Sequence, residues 1–143
     1  MKLFSSLLLL CLGCSSFQVN ALSTGTPQQM LVKWKAKPIT VATLEDINGW
    51  GNWYVKDTSK EHGQCSEQAD CKEAVLNELG IPFKRMSCTI TREWGRPFGH
   101  AFLIAHLNDK DYIMDNGAIQ DIVWEYTSAI KSTYGVEAIH ENK

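Results

Sequence analysis

The sequence predicts an α+β fold, in which one helix is followed by a series of antiparallel strands. The helix begins at about Cys65 and ends at Gly80. Pro82 lies just beyond it, and a glycine followed by a proline is the usual sequence signal for a helix C-terminus. Short segments with alternating apolar and polar residues come after it and are typical of strands. Helices and strands do not alternate along the chain, so a parallel βαβ arrangement is not expected.

The strands are predicted from this alternation and from the turn residues between them. The best segments are Met86–Arg92, His100–Leu107 and Tyr112–Asp115. In the first segment, one face carries Met86, Cys88 and Ile90, and the other carries Ser87, Thr89 and Thr91. Further extended pieces are expected at Asp121–Tyr126 and near Tyr134–Ile139.

The part of the chain before the helix shows weaker patterns. Leu22–Pro38 is rich in Thr, Gln and Lys and is predicted to run extended over the surface, with Leu31–Trp34 as an edge strand. Leu44–Tyr54 is predicted as a short helix or a turn-rich segment. Lys56–His62 is polar and is predicted as a loop.

The first 21 residues have the layout of a secretory signal peptide. Lys2 gives a basic start, and Leu3–Leu12 is an apolar run that is too short to span a bilayer. Val19 and Ala21 then place small residues where a signal peptidase cuts. Residues 1–21 are therefore predicted to be a signal peptide, and the protein is predicted to be periplasmic or secreted.

Gly13-Cys14 is an alternative cleavage site, because it resembles the acceptor site of a bacterial lipoprotein. Cys11 stands where such sites usually carry an aliphatic residue, which makes lipid anchoring through Cys14 the weaker alternative.

Residues 22–143 are long enough for a single domain, whose core is expected over about residues 45–143. The 14 basic and 16 acidic residues are interspersed and give a net charge of −2, so no basic surface for nucleic acid is indicated. The sequence contains no second apolar stretch, so no transmembrane segment is expected, and the protein is predicted to be a monomer.

Cleavage after Ala21 leaves three cysteines, which is an odd number for an oxidising compartment. Cys71 lies on a helical stripe with Val75 and Leu79, and Cys88 lies on the apolar face of its strand. Both are expected to point inward, either as a disulfide or as two buried reduced thiols. In either case Cys65 remains as a separate thiol.

Three residues on three different elements form a candidate thiol active site. Cys65 begins a helix, where the dipole and unpaired backbone N–H groups stabilise a thiolate. His100 begins a strand, and Asp115 ends the next one. A cysteine nucleophile, a histidine base and an aspartate that orients the histidine are the parts of a catalytic triad.

Strand geometry makes this hypothesis specific. A hairpin that turns on Asn108-Asp109 pairs Ala105 with Tyr112 and brings His100 and Asp115 to the same face, diagonally offset. A three-residue loop would place them on opposite faces. The alternative roles are structural: a histidine at a strand start, and an aspartate that supports a turn.

Other polar residues are weaker candidates. His62 and Cys65 have a spacing that suits a metal, but no second pair completes four ligands. His106 and His140 are expected to be surface or packing residues. No glycine-rich phosphate loop is present, so neither a metal nor a cofactor is predicted.

Several of these segments resemble the bacterial transglutaminase-like cysteine proteinases. The similarity covers roughly residues 45–143 and lies in four segments: Gly63–Ala69 with Leu79–Pro82, Gly99–Leu103, Asp111–Asn116 and Tyr134–Ile139. The resemblance implies a papain-like, transglutaminase-like α+β fold, with the nucleophile helix packed on an antiparallel sheet. It also implies a thiol peptidase with Cys65, His100 and Asp115 as its triad.

The chain departs from the family pattern in two places. Family members usually carry acidic residues directly before and after the cysteine, and in members that cut adhesins these residues help to bind calcium. Gln64 and Ser66 stand there in this chain, which does not favour calcium dependence. Lys56–His62 also replaces a longer segment that usually lines the substrate groove, so the substrate is expected to differ.

The sequence therefore leads to one main hypothesis and two alternatives. The main one is an exported cysteine peptidase that cleaves an amide bond in a peptide or protein of the cell envelope through an acyl-enzyme. The same triad would also serve an acyl transferase or a cell-wall peptide amidase. The third possibility is a degenerate member of this fold that binds a partner without catalysis.

Overall fold

Helices lead the chain and strands follow in the computed structural model, which describes residues 24–58, 65–90, 95–115, 123–128 and 136–142. The helices within these residues are α1 (Pro27–Lys35), α2 (Val41–Thr58) and α3 (Cys65–Leu79). The strands are β1 (Phe83–Ile90), β2 (Phe98–Leu107), β3 (Lys110–Met114), β4 (Val123–Glu125) and β5 (Val136–Asn142). They form one antiparallel sheet in the order β4-β3-β2-β1-β5. The predicted α+β class is confirmed.

Helix α1 corrects the expectation for Leu22–Pro38. Its start is fixed by a capping box, in which the Gln29 amide N–H donates to Thr26 Oγ1 at 3.3 Å and the Thr26 amide N–H donates to Gln29 Oε1 at 3.0 Å. Met30 and Trp34, one turn apart, are buried. The prediction of an edge strand at Leu31–Trp34 was wrong, because the cap and this spacing outweigh the β propensity of a short apolar run.

Helix α2 is longer than the predicted segment Leu44–Tyr54. The Thr40 amide N–H donates to Thr43 Oγ1 at 3.0 Å just before the first turn of the helix. Leu44, Ile47 and Trp50 repeat every three residues and are fully buried. The predicted loop Lys56–His62 begins inside α2, and its remainder lies outside the described residues.

Helix α3 begins and ends where the sequence predicts. At its C-terminus the Ile81 amide N–H donates to the Leu76 carbonyl at 3.0 Å, and Gly80 adopts φ +69°, a conformation that favours glycine. Its buried face consists of Gln68, Ala69, Lys72, Val75 and Leu76. The predicted stripe is thus rotated slightly, and Cys71 lies half-buried at the edge of that face.

The hairpin of β2 and β3 has the predicted register. Asn108 and Asp109 form its turn with φ of 51° and 61°, as a two-residue type I′ turn requires. Ala105 pairs with Tyr112, and the ladder runs on to the pair Leu103–Met114. Alternate residues of β2 and β3 therefore point to the sheet faces that the sequence predicts for them.

Two clusters of buried apolar side chains flank the sheet. Leu103, Ala105 and Met114 join the cluster that packs against the helices. The alternate strand residues form the second cluster, which contains Met86, Cys88, Ile90, Phe102, Ile104 and Ile113. The alternation predicted for the first strand is confirmed over Met86–Ile90, and Thr91 lies outside the described residues.

The structure decides between the two alternatives for the inward-facing cysteines. Cys71 packs against the helix-side cluster, and Cys88 belongs to the second cluster. Both are free thiols. The disulfide is therefore not formed, and the two residues act as small hydrophobic side chains, Cys88 buried and Cys71 half-buried.

The structure does not describe residues 1–23, so the predicted signal peptide and the alternative site at Cys14 lie outside the described residues. Among the helices that it does describe, none combines the length and apolar character that a membrane crossing needs.

Candidate active site

Cys65 is the first residue of α3, and its thiol is half-buried. The neighbouring His100 side chain lowers the pKa of this thiol most; burial opposes the shift, and the backbone N–H groups of Ala101 and Ser66 support it. The Ser66 N–H is available because the first turn of a helix has no internal acceptors for its N–H groups, whereas the Ala101 N–H comes from β2. The surroundings of Cys65 therefore favour a thiolate that reagents can still reach.

His100 and Asp115 form a buried pair. Nε2 of His100 lies 2.7 Å from Oδ1 of Asp115, and the two side chains are 1% and 0% exposed. Because Asp115 engages Nε2, Nδ1 is the ring nitrogen that remains for Cys65, and it is buried with no hydrogen-bond partner among the described residues. The ring of Phe102 packs beside the imidazole, with its centroid 6.0 Å away. The sequence-predicted residues are thus brought together, with the histidine in the middle.

The electrostatics of the pair favour a charged imidazole. Burial by itself would lower the pKa of His100, but the neighbouring side chains of Asp115 and Cys65 outweigh it and raise that pKa from 6.5 to about 9. The same interaction lowers the pKa of Cys65. Each charged partner therefore stabilises the other, so the site favours a thiolate–imidazolium pair more than two isolated side chains would.

Cys88 lies opposite His100 on the neighbouring strand, as its cross-strand partner. Burial raises the pKa of the Cys88 thiol to about 11, and the negative charges of Asp115 and Cys65 add to this effect. Cys88 is therefore a neutral, unreactive neighbour of the site.

The first turns of α3 are tied to β1 by Arg85. Its guanidinium donates to Asp70 at 2.5 Å and to Glu73 at 3.1 Å, and also to the Ser66 carbonyl at 3.3 Å. The last of these contacts lies one residue from the thiol. Arg85 thus fixes the position of the helix start relative to the sheet that carries His100.

A buried polar cluster that the sequence analysis missed supports Asp115 from the side of the helices. Nζ of Lys72 donates to Oδ1 of Asn48 at 2.7 Å and to the Asp115 carbonyl at 3.4 Å, and Nδ2 of Asn52 donates to that carbonyl at 3.3 Å. The available signal was a lysine in the middle of the apolar face of α3, where a charged residue is unusual.

The remaining candidates lie away from Cys65, His100 and Asp115 or outside the described residues. His106 is half-exposed and pairs with Asp111 at 2.8 Å near the hairpin turn. His62 lies outside the described residues, as does the side chain of His140. Within the described ranges no three His, Cys, Asp or Glu side chains are grouped closely enough to hold a metal ion.

One comparison with known proteins finds a match. Residues 21–132 match the family model described as bacterial transglutaminase-like cysteine proteinase BTLCP. The matched region starts earlier than the similarity seen in the sequence; it includes α1, and it ends before β5. No curated protein and no solved structure matches the chain. Because the family model covers most of the chain and describes cysteine peptidases of transglutaminase-like type, the chain belongs to the bacterial transglutaminase-like cysteine proteinase family.

Proposed function

We propose that this protein is an exported thiol hydrolase that cleaves an amide bond in a peptide or protein of the cell envelope, with Cys65, His100 and Asp115 as its catalytic triad. The observation that carries the proposal is the position of His100, whose ring lies between the carboxylate of Asp115 at 2.7 Å and the thiol of Cys65. A histidine held in this way can accept the proton of the thiol and later give it to the leaving group.

The first half of the reaction forms the acyl-enzyme. The thiolate of Cys65 attacks the carbonyl carbon of the amide, and the new C–S bond places a negative charge on the carbonyl oxygen. Backbone N–H groups at the start of α3 are suited to stabilise that oxyanion. The C–N bond then breaks, and the imidazolium of His100 gives its proton to the departing amine.

The second half releases the product. The neutral imidazole of His100 takes a proton from water, the hydroxyl attacks the thioester, and the C–S bond breaks to return the thiolate and the acid. Asp115 stabilises the imidazolium and keeps Nδ1 directed at the sulfur. An amine in place of water would give acyl transfer through the same intermediate, so the acceptor distinguishes peptidase or amidase activity from transferase activity.

Export and the choice of substrate rest on the sequence. The signal-like segment of residues 1–21 supports a periplasmic or secreted location, and a cell-envelope peptide or protein is the substrate class available there. Gln64 and Ser66 beside the cysteine, and the short Lys56–His62 segment, favour a substrate that differs from the adhesins that calcium-dependent members cut.

Digestion of cell-envelope extracts tests the proposal. Wild-type protein and Cys65→Ala are incubated with the same extract, and new peptide termini are found by mass spectrometry. New termini that require Cys65 support the hydrolase. A protein that binds an envelope component equally well in both forms, and generates no new termini, is instead the degenerate binding module.

Alkylation with iodoacetamide near pH 6 separates an active site from an inert thiol without any knowledge of the substrate. Selective labelling of Cys65 at this pH is expected, since ordinary thiols have a pKa of about 8.5 and are almost fully protonated there. A Cys65 that reacts no faster than a small thiol such as N-acetylcysteine contradicts the proposed mechanism.

A further inference from the structure

Asp115 lies just beyond the end of β3. The last pair of the β2–β3 ladder is Leu103–Met114, so the ladder does not include the backbone of Asp115. Its carboxylate nevertheless has to meet His100 at a fixed distance in a site from which water is excluded. A group other than the sheet ladder is therefore needed to hold the Asp115 main chain.

Two side chains from two helices meet at the Asp115 carbonyl. Nζ of Lys72, from α3, donates to it at 3.4 Å, and Nδ2 of Asn52, from α2, donates at 3.3 Å. Asn48, one helical turn before Asn52, accepts a 2.7 Å hydrogen bond from the same lysine. The helix that carries the nucleophile is thus connected through Lys72 to the residue that orients the base.

The burial of Lys72 indicates that this arrangement serves the site. The residue is only 1% exposed, and burying an amine is unfavourable compared with an apolar side chain of the same length. Gly51 provides the space, because a Cβ atom built on it would lie 2.7 Å from Cγ of Lys72. The two helices therefore pack closely around a polar side chain that core packing alone does not require.

We infer that Lys72 and Asn52 are positioning residues, which hold the Asp115 main chain so that its carboxylate orients His100. The inference rests on the proposed triad and extends it. In this view α3 has two roles. Its start activates the thiol of Cys65, and its buried face, through Lys72, keeps His100 aligned.

The test follows the protonation of His100 and Cys65 and does not need a substrate. The titratable groups that face His100 are Cys65 from α3, Cys88 from β1 and Asp115 just beyond β3. The variants are Lys72→Met, which keeps the aliphatic chain, and Asn52→Leu. Lys35→Met is the control, because Lys35 is half-exposed and pairs with Glu78 at 3.7 Å.

Both positioning variants are expected to weaken the Asp115–His100 bond. NMR titration of the imidazole should then show a pKa below about 9 for His100. The iodoacetamide rate of Cys65 near pH 6 should fall by up to about tenfold for each unit by which the thiol pKa rises. Lys35→Met should match the wild type in both measurements.

The sign of the shift separates positioning from a simple charge effect. If Lys72 acted only through its positive charge, its removal would make the imidazolium more favourable and raise the pKa of His100. A raised pKa in Lys72→Met, or profiles in both variants that equal the wild type, would overturn the inference.

Two further variants test the inference if Lys72→Met does not fold. Asn52→Leu removes the second donor while it leaves Lys72 in place, and Gly51→Ala displaces the lysine side chain without removing it; unchanged titrations in both contradict the inference. Wild-type protein whose Cys65 is unreactive near pH 6 would instead contradict the proposed function itself.

Discussion

Oδ1 of Asp115 lies 2.7 Å from Nε2 of His100, although the two residues are not cross-strand partners. The ladder pair Leu103–Met114 implies that Asp115 lies opposite Phe102, two residues from His100 along β2. The contact is therefore diagonal across the hairpin, and side chains at such positions reach each other only on a shared face. The length of the turn thus decides whether the pair can form.

We expect Cys65→Ala and His100→Ala each to reduce peptide hydrolysis by about 10⁴-fold or more, because each removes a group that takes part in bond formation or proton transfer. The double variant is expected to be no slower than either single one, since the two groups act as a unit. Rates on an envelope-derived peptide and circular dichroism spectra check both points. Substantial turnover by folded Cys65→Ala would contradict the mechanism.

Asp115→Asn is expected to lower activity by about ten- to a hundredfold, which is less than the loss in Cys65→Ala. The amide keeps some hydrogen bonding but loses the charge that stabilises the imidazolium, so the pKa of His100 should fall from about 9. The alkaline limb of the pH–rate profile should move to lower pH. An unchanged profile would leave Asp115 as a turn residue and reduce the site to a Cys65–His100 dyad.

The pH dependence of activity should have the form of a bell. On the acid side, activity falls where the thiolate of Cys65 becomes protonated, which is below the ordinary thiol range because its pKa is lowered. On the alkaline side, activity falls near pH 9, where the imidazolium loses its proton. Single-turnover rates measured from well below pH 9 to above it would show both limbs. A profile with a single alkaline rise would contradict the ion pair.

The same protonation contributes to stability with a definite sign. The pKa of His100 is raised from 6.5 to about 9, so the folded state binds this proton more tightly than the unfolded state. Its contribution to the free energy of unfolding is present in full below about pH 6.5 and is lost as the pH rises through about 9. Urea unfolding at both ends of this range, in wild type and His100→Gln, checks it; an equal pH dependence in the two proteins would contradict the shift.

The cysteines should differ sharply in reactivity. Burial raises the pKa of Cys71 and of Cys88 to about 11, so neither should react with iodoacetamide in the folded protein near pH 7. One label on Cys65 is expected in native protein, and labels on all three residues after denaturation without a reducing agent. Two thiols missing after denaturation would show that Cys71 and Cys88 are bridged.

The hairpin turn should be sensitive to its residue types. Asp109 adopts φ 61°, so Asp109→Val should destabilise the protein by about 1–2 kcal/mol, because a β-branched side chain is strained there. Asp109→Gly keeps the positive-φ backbone conformation accessible and serves as the matched control. The free energy of unfolding from urea titration checks the prediction, and equal stability of the two variants would contradict the turn geometry.

The hairpin shows how far local patterns predict this fold. Alternation along β2 and β3, together with turn residues at Asn108-Asp109, is enough to fix the register and to place Asp115 beside His100. The C-terminus of α3 at Gly80 follows in the same way from a local signal. These features depend on residues close together in sequence, and pattern analysis is most reliable for such features.

The elements that were missed depend on longer-range packing. Trp34 is buried because it packs edge-on against Trp50 of α2, with centroids 5.4 Å apart, and its own segment gives only the spacing of Met30 and Trp34 as a hint of a helix. The role of Lys72 likewise depends on Asn48 and Asn52 from a different helix. The presence of a lysine at position 72 does not by itself identify the partners that make its burial favourable.

The hairpin Phe98–Asp115 carries two members of the proposed triad, whereas Cys65 comes from a helix that packs against the sheet. The histidine–aspartate distance is set within one short stretch of chain, but the sulfur reaches the ring only when α3 is docked. The acidic thiol is thus a chemical reporter of docking. As urea is added, the alkylation rate of Cys65 should fall to that of a free cysteine when α3 first leaves the sheet. If α3 opens separately from the rest of the fold, this fall should precede global unfolding.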